Sequence, residues 1–200
     1  MYPDTSMTVI TISRQMGSLG KEISQCLADC LGYRLVCREI INQAAIQVGS
    51  PEIALAAIDE LGLLGICPSP QACEAYRLQI QIIMDELAAV GNVIIVGRAG
   101  QVILANQPNV FHVQIVAPFE IRIGRVSVDK CIPIEFAQKQ IKASDNFRRH
   151  YLQKFYNARW DDPTLYNLVI NTGHITPATA VQIILTAIHQ PKPDVTEPIL

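Results

Sequence analysis

Lys21, with Gly17, Ser18 and Gly20 before it and Glu22 after it, is the group whose residue types and spacing could do chemistry. Glycines let a backbone approach an anion closely, and a lysine supplies a mobile positive charge. Placed between a strand and a helix, such a loop turns N–H groups and the positive end of the helix dipole toward a phosphate. The flanks suit that placement: Thr8 to Ile12 is a β-branched run, and Ile23 to Leu31 has the spacing of an amphipathic helix. The full phosphate-loop signature asks for glycine, four residues, Gly-Lys and then Ser or Thr. Here Gln15 stands at the first glycine and Glu22 at the hydroxyl. A carboxylate at that place either repels phosphates or holds Mg²⁺ in another way. Gly-Lys pairs also occur at ordinary tight turns, so the rest of the chain has to decide.

The elements that would position this loop follow in order. Tyr33 to Val36 reads as a second strand after the helix-ending Gly32. Glu39 to Val48 and Pro51 to Leu61 have helical spacing, and Gly62 to Pro70 reads as a loop, so residues of about 37–70 look like an insertion. Gln71 to Val90 is a long helix with Leu78, Ile82, Ile83 and Leu87 on its expected apolar face. Asn92 to Val96 and Phe111 to Val116 are apolar runs of the kind that fill central strands covered on both faces. Phe119 to Trp160 is helical and rich in Lys and Arg, a pattern that a solvated helix face also produces. Leu165 to Ile170 restores a strand, and Thr176-Pro177 caps a last helix to about His189. Residues 191–200 are expected to be a disordered tail. Strands alternating with helices predict an α/β fold with a five-stranded parallel sheet. Ligands gather beyond the carboxyl ends of such strands, where the glycine loop, Gly97-Arg98 and the segment after Ala117 all fall.

Composition narrows the classes. Half of the 200 residues are hydrophobic and 17% are charged, enough for one domain with a buried core. A net charge of −2 argues against an electrostatically driven nucleic-acid binder. Without a membrane-length apolar stretch or a basic-then-apolar leader, the expectation is a cytoplasmic protein. The six cysteines show no CxxC spacing; Cys26 and Cys30 share a helix face, but no His stands near to complete a metal set. Reduced, mostly buried thiols and no protein-built metal site are expected.

Taken together, ITISRQMGSLGKEI, RLVCREII, VIIVGRAG, HVQIVAPFEIRIGRV and IKASDNFRRHYLQKFYNARWDDPTLYNLVINTG resemble the cytidylate kinase-like family of P-loop nucleoside monophosphate kinases, over about residues 7–189. The resemblance implies a three-layer P-loop NTPase fold in a single domain of residues 1–190, with a nucleoside monophosphate-binding insert at about 37–70 and a helical lid at about 122–160. It implies transfer of the ATP γ-phosphoryl group with Mg²⁺, nucleotides as the partners, and arginines as the main source of charge stabilisation. Lys21 would hold the outer phosphates, with Gly17, Ser18 and Gly20 as the N–H cradle and Glu22 beside the metal. Arg98, with Gly97, would grip the acceptor phosphate, and Arg77 is a further candidate. Arg122, Arg125, Arg148 and Arg149 would be lid arginines, Asp145 would orient one of them, and Asn171 and Thr172 would lie near the adenine. The insert and the lid would close on ligand.

The departures bear on substrate and activity. Cytidylate kinases proper carry Asp-Gly-Arg-Asp after the third strand, where this chain has Val96-Gly97-Arg98-Ala99. An aspartate common after the second strand is replaced by Cys37. The acceptor base therefore does not carry over, and a nucleotide- or phosphate-binding regulatory protein of the same fold without turnover is the rival reading. Asp145 also fits a routine helix pair with Arg148 or Arg149. Trp160 is expected to anchor a core.

Overall fold

A computed structural model describes residues 9–37 and 70–189. The insertion expected at about 37–70 and the tail at 191–200 lie almost wholly outside the described residues. Five strands, β1 Val9–Arg14, β2 Arg34–Val36, β3 Val93–Val96, β4 Val110–Val116 and β5 Leu168–Asn171, form one sheet in the order β2-β3-β1-β4-β5. Every pairing is parallel, as the strand-helix alternation predicts. β1 is central, so the loop that follows it opens at the middle of the sheet's carboxyl edge.

The helices are α1 Gly20–Leu31, α2 Pro70–Val90, the short α3 Gly100–Ile103, α4 Phe119–Lys130, α5 Ile134–Tyr156 and α6 Pro177–Ile188. Two cores flank the sheet. Ile10, Ile12, Val113 and Ile115 pack under Ile23 and Leu27 of α1 and Ile184 of α6. Val9, Val93 and Ile95 pack under Ile80 and Met84 of α2. The α6 start is as the sequence predicts: the Thr176 hydroxyl accepts from the Thr179 N–H, with Pro177 next to it.

Two packing expectations are corrected. The buried stripe of α2 is Ile80, Met84 and Ala88 with Leu87 at its side, whereas Leu78 and Ile82 are 47% and 48% exposed. The helix carries apolar residues on opposite sides, so periodicity alone fits either stripe. The thiols of Cys26 and Cys30 are exposed because the inward face of α1 is taken by Ile23 and Leu27, and Cys131 is exposed at the end of α4.

One sheet face turns polar toward the carboxyl edge. On that face of β1, Val9 gives way to Thr11 and Ser13, and on β4, Val110 gives way to His112 and Gln114; all four polar side chains are buried. Thr11 Oγ1 and His112 Nδ1 lie 2.7 Å apart across the β1–β4 pair, and the ring also bonds the Leu104 backbone. Desolvation is the main influence on His112 and lowers its pKa, so the folded chain favours the neutral ring. An unfolded chain takes up that proton near the ordinary histidine value of about 6.5. As pH falls through that value the unfolded state therefore binds more protons than the folded one, and stability drops. We expect urea melts at pH 7.5 and 5.5 to show this loss, with a slope from this one group of at most about 1.4 kcal/mol per pH unit. His112→Gln should flatten the slope, and an unchanged slope would exclude His112 as its source.

Candidate active site

The loop after β1 is built on opposed carbonyl and N–H directions. Gln15 continues the ladder by donating its N–H to the Ile115 carbonyl at 3.0 Å, and its side-chain oxygen accepts from the Ala117 N–H. The next three carbonyls are each held by a different side chain. Met16 O accepts from Arg122 at 3.3 Å, Gly17 O from Arg125 at 3.3 Å, and Ser18 O from the Thr172 hydroxyl at 2.9 Å. In a trans peptide the following N–H points the opposite way. Fixing these carbonyls on the side of α4 and β5 therefore turns the N–H groups of Gly17 and Leu19 toward the groove, while the Ser18 N–H closes a turn on Gln15 O. Leu19 takes a left-handed φ of 62° and starts α1, whose first N–H groups have no carbonyl within the helix to bond. Gly17 is required by both conformation and space: its φ is 79°, and a methyl group there would stand 2.8 Å from the Arg122 backbone oxygen. This cradle fits a phosphate by the chemistry of its donors.

The basic residues read as lid arginines separate by what they touch. Arg122 is 4% exposed and Asp145 5%, and the two form a bidentate pair at 3.2 and 2.9 Å. Arg122 Nε also donates to Ala117 O at 3.1 Å. One guanidinium thus joins α5, the exit of β4 and the glycine loop, and the routine Asp145 pairing with Arg148 or Arg149 is replaced by this link between helices. Asp145 thus orients one of the expected lid arginines, Arg122, and that arginine holds the loop and is not part of the groove lining. Arg125 donates to Gly17 O and, at 3.1 and 2.8 Å, to the Thr172 hydroxyl and carbonyl, yet it also lines the groove. Thr172 is 1% exposed and serves the same bracing. Met16 packs with Ile123, Val126, Ala137 and Ile141, so the base of the α4–α5 hairpin is anchored to the loop by apolar contact as well.

The groove beyond the loop is lined by Lys21, Glu22, Arg125, Asp129, Lys130, Arg14 and Arg148 among others. A second cavity lies beside it against β3, walled by Phe147, Tyr151 and Trp160, with Arg14, Arg98 and Arg148 reaching its lining. Arg148 is anchored by donating to the Ser144 carbonyl and hydroxyl and lies 5.7 Å over the Trp160 ring. The Trp160 indole N–H donates to Ser13 Oγ at 2.9 Å, while its carbonyl accepts from Gln114 and from the Tyr166 hydroxyl. Trp160 thus anchors a core, as expected, and also forms a wall. Burial pushes the Tyr166 hydroxyl up to about 12 and raises Tyr151 further, so both stay protonated donors near neutral pH. Gly97, Arg98 and Ala99 have φ of 82°, 57° and 57° in succession. Two non-glycine residues in that region cost about 1–2 kcal/mol each, a strain that fixes how Arg98 leaves the sheet edge.

Three expected site residues line neither the groove nor the second cavity. Arg149 is exposed, donates to Asn146, and lines a separate shallow depression with His150 and Arg159. Adjacent helix residues point about 100° apart, so Arg148 and Arg149 do not face one groove. Arg77 pairs with Glu74 on the outside of α2. Asn171 is exposed, and its side chain closes a turn on the Gly173 N–H. Sequence reasoning passed over Ser13, Arg14, Gln101 and Asp129, although the polar-apolar alternation in Thr11-Ile12-Ser13 was an available signal for Ser13.

We expect Arg122→Ala and Asp145→Ala each to destabilise the protein by about 3–5 kcal/mol, since each leaves a buried charge without its partner. The pair Arg122→Met with Asp145→Leu should recover much of that loss in urea titrations. Single variants as stable as wild type would show that the pair is not buried in solution.

The family model of the cytidylate kinase-like family matches residues 9–174. The chain is 25% identical over 184 residues to a cytidylate kinase of Archaeoglobus fulgidus, covering 92% of this chain and 96% of that protein. It is 27% identical over 179 residues to a cytidylate kinase of Ignicoccus hospitalis, covering 89% and 97%. Among solved structures, an uncharacterized protein from Eubacterium ventriosum has a TM-score of 0.74 at 20% identity, over 91% of this chain and 98% of that one. Shikimate kinase from Acinetobacter baumannii, in complex with shikimate, has a TM-score of 0.53 at 14% identity, over 92% and 94%. At these identities the structural likeness establishes the P-loop kinase fold. With the family model matched from β1 to beyond β5, the chain belongs to the cytidylate kinase-like family.

Proposed function

We propose that the protein is a cytoplasmic phosphotransferase that moves the ATP γ-phosphoryl group to a nucleoside monophosphate. The observation that carries this reading is the set of three successive loop carbonyls held by Arg122, Arg125 and Thr172, which turns N–H groups and Lys21 to a groove adjoining an arginine-bearing cavity. The groove suits a polyphosphate and the cavity an anionic acceptor, with Arg98 and Arg148 as its basic groups and the aromatic walls available to a base. Such a transfer is achieved mainly by positioning and by compensating developing charge. Among the described residues no three His, Cys, Asp or Glu cluster for a metal, so Mg²⁺ would be held chiefly through the phosphates, with Glu22 and Asp129 as the carboxylates lining the groove. Its chemistry there would be to offset phosphate charge.

Glu22 supports the rival, a nucleotide-binding regulatory protein without turnover, because it adds negative charge beside a polyanion and replaces the usual hydroxyl. A panel of nucleoside monophosphates with ATP and Mg²⁺, followed by ADP release, tests the enzyme reading. Lys21→Ala should weaken ATP binding in calorimetry and abolish transfer; unchanged affinity would overturn the loop's role. Glu22→Thr separates the two readings. A fall in turnover fits an enzyme that uses the carboxylate at its metal, and tighter Mg-ATP binding with turnover rising from background fits a decayed site.

A further inference from the structure

Arg14 occupies an unusual position within the site. It ends β1, and it lines both the phosphate groove and the aromatic-walled cavity, as Arg148 does from α5. Its stem is confined: a methyl group at Gly20 would stand 2.7 Å from Arg14 Cβ and 3.2 Å from Cδ, so the first residue of α1 rests on it. Its far end reaches the loop after β3, where Nη1 comes within 3.9 Å of the place a Gly97 Cβ would occupy. The absence of a side chain at Gly20 thus makes room for this arginine, which runs from the helix start to the Arg98 loop beside Gly97. Arg148 approaches the same junction with its guanidinium fixed by Ser144 and Trp160.

We propose that Arg14 is a catalytic residue that binds the phosphoryl group in transit between groove and cavity, opposite Arg148. The inference rests on the phosphotransferase reading. In the step concerned, an ionised oxygen of the acceptor phosphate forms a bond to the γ-phosphorus. The bond from that phosphorus to the β,γ-bridging oxygen breaks, its electron pair stays on ADP, and no proton is taken up or released. Charge on the three equatorial oxygens is then shared by neither donor nor acceptor, and a planar guanidinium at the shared wall matches it with paired N–H groups. A group that meets only this species raises kcat with little effect on ground-state nucleotide binding.

The test uses the whole protein with Mg-ADP, with and without aluminium fluoride as a mimic of the phosphoryl in transit and with CMP present, read by calorimetry and by the emission of the single tryptophan, Trp160. Wild type should bind ADP about 100-fold more tightly with the fluoride. Arg14→Met should keep ADP affinity and melting temperature, lose that tightening, and lower kcat by about 10²–10³-fold with KM for ATP unchanged. Arg14→Lys should restore part of the tightening. A fluoride effect equal in wild type and Arg14→Met, or absent in a wild type that binds ADP, would overturn the assignment. So would a parallel loss of ADP affinity and melting temperature in Arg14→Met, which marks a brace under α1. Wild type that binds no ADP at all would instead overturn the phosphotransferase reading, and Arg14's role with it.

Discussion

A peptide group cannot present its N–H to a ligand unless its carbonyl has somewhere else to go. Around the glycine loop that constraint is met by Arg122, Arg125 and Thr172, which take up three carbonyls in a row. Arg122 in turn is held by Asp145, and the pair is nearly sealed from water. Burying two charges yields little net stability when balanced against an apolar pair, but it confers direction, because a planar guanidinium accepts few arrangements. The loop, the exit of β4 and the α5 helix are therefore referenced to one side chain. A hairpin that sequence reasoning describes as a lid is, at its base, part of the loop's foundation.

The polar face at the carboxyl edge of the sheet plays the corresponding part for the neighbouring cavity. Ser13, Gln114 and Tyr166 all bond Trp160, and Gln101 extends the set by donating to the Tyr166 hydroxyl at 3.3 Å. Each buried donor or acceptor in this set that lost its partner would carry its own desolvation cost, so the network specifies one placement of the indole. Arg148 then lies over a ring that cannot move away. Sheet, indole and guanidinium form a stack in which each layer fixes the next, from the invariant geometry of the strands out to the charged lining.

Strand identity was legible because apolar runs such as VIIV and VFHVQIV are bounded by glycine or proline, and those boundaries hold to within a residue or three. The phosphate cradle was legible too, since glycine spacing and Gly20-Lys21 report backbone geometry directly. The roles of the arginines were not. Arg122, Arg125, Arg148 and Arg149 look alike in a sequence, and only helix phase with tertiary partners makes one a strut, two groove-lining and one a surface residue. The short α3 escaped notice for a related reason: it is set by a left-handed turn at Gly97 to Ala99 and by Gly100 fitting against Thr11, neither of which leaves a periodic pattern.

The bonds that orient the loop span long stretches of chain: Met16 to Arg122, Gly17 to Arg125 and Ser18 to Thr172 are 106, 108 and 154 residues apart. Closing such distances is slow relative to forming local helices. During synthesis the glycine loop leaves the ribosome early, while the threonine that fixes its last carbonyl emerges only near the end. The nascent N-terminal half therefore carries the phosphate-loop sequence without the means to shape it. The last of the three carbonyls therefore gains its partner only when the end of β5 is in place beside β4, so one of the final elements of the chain completes the shape of one of the first.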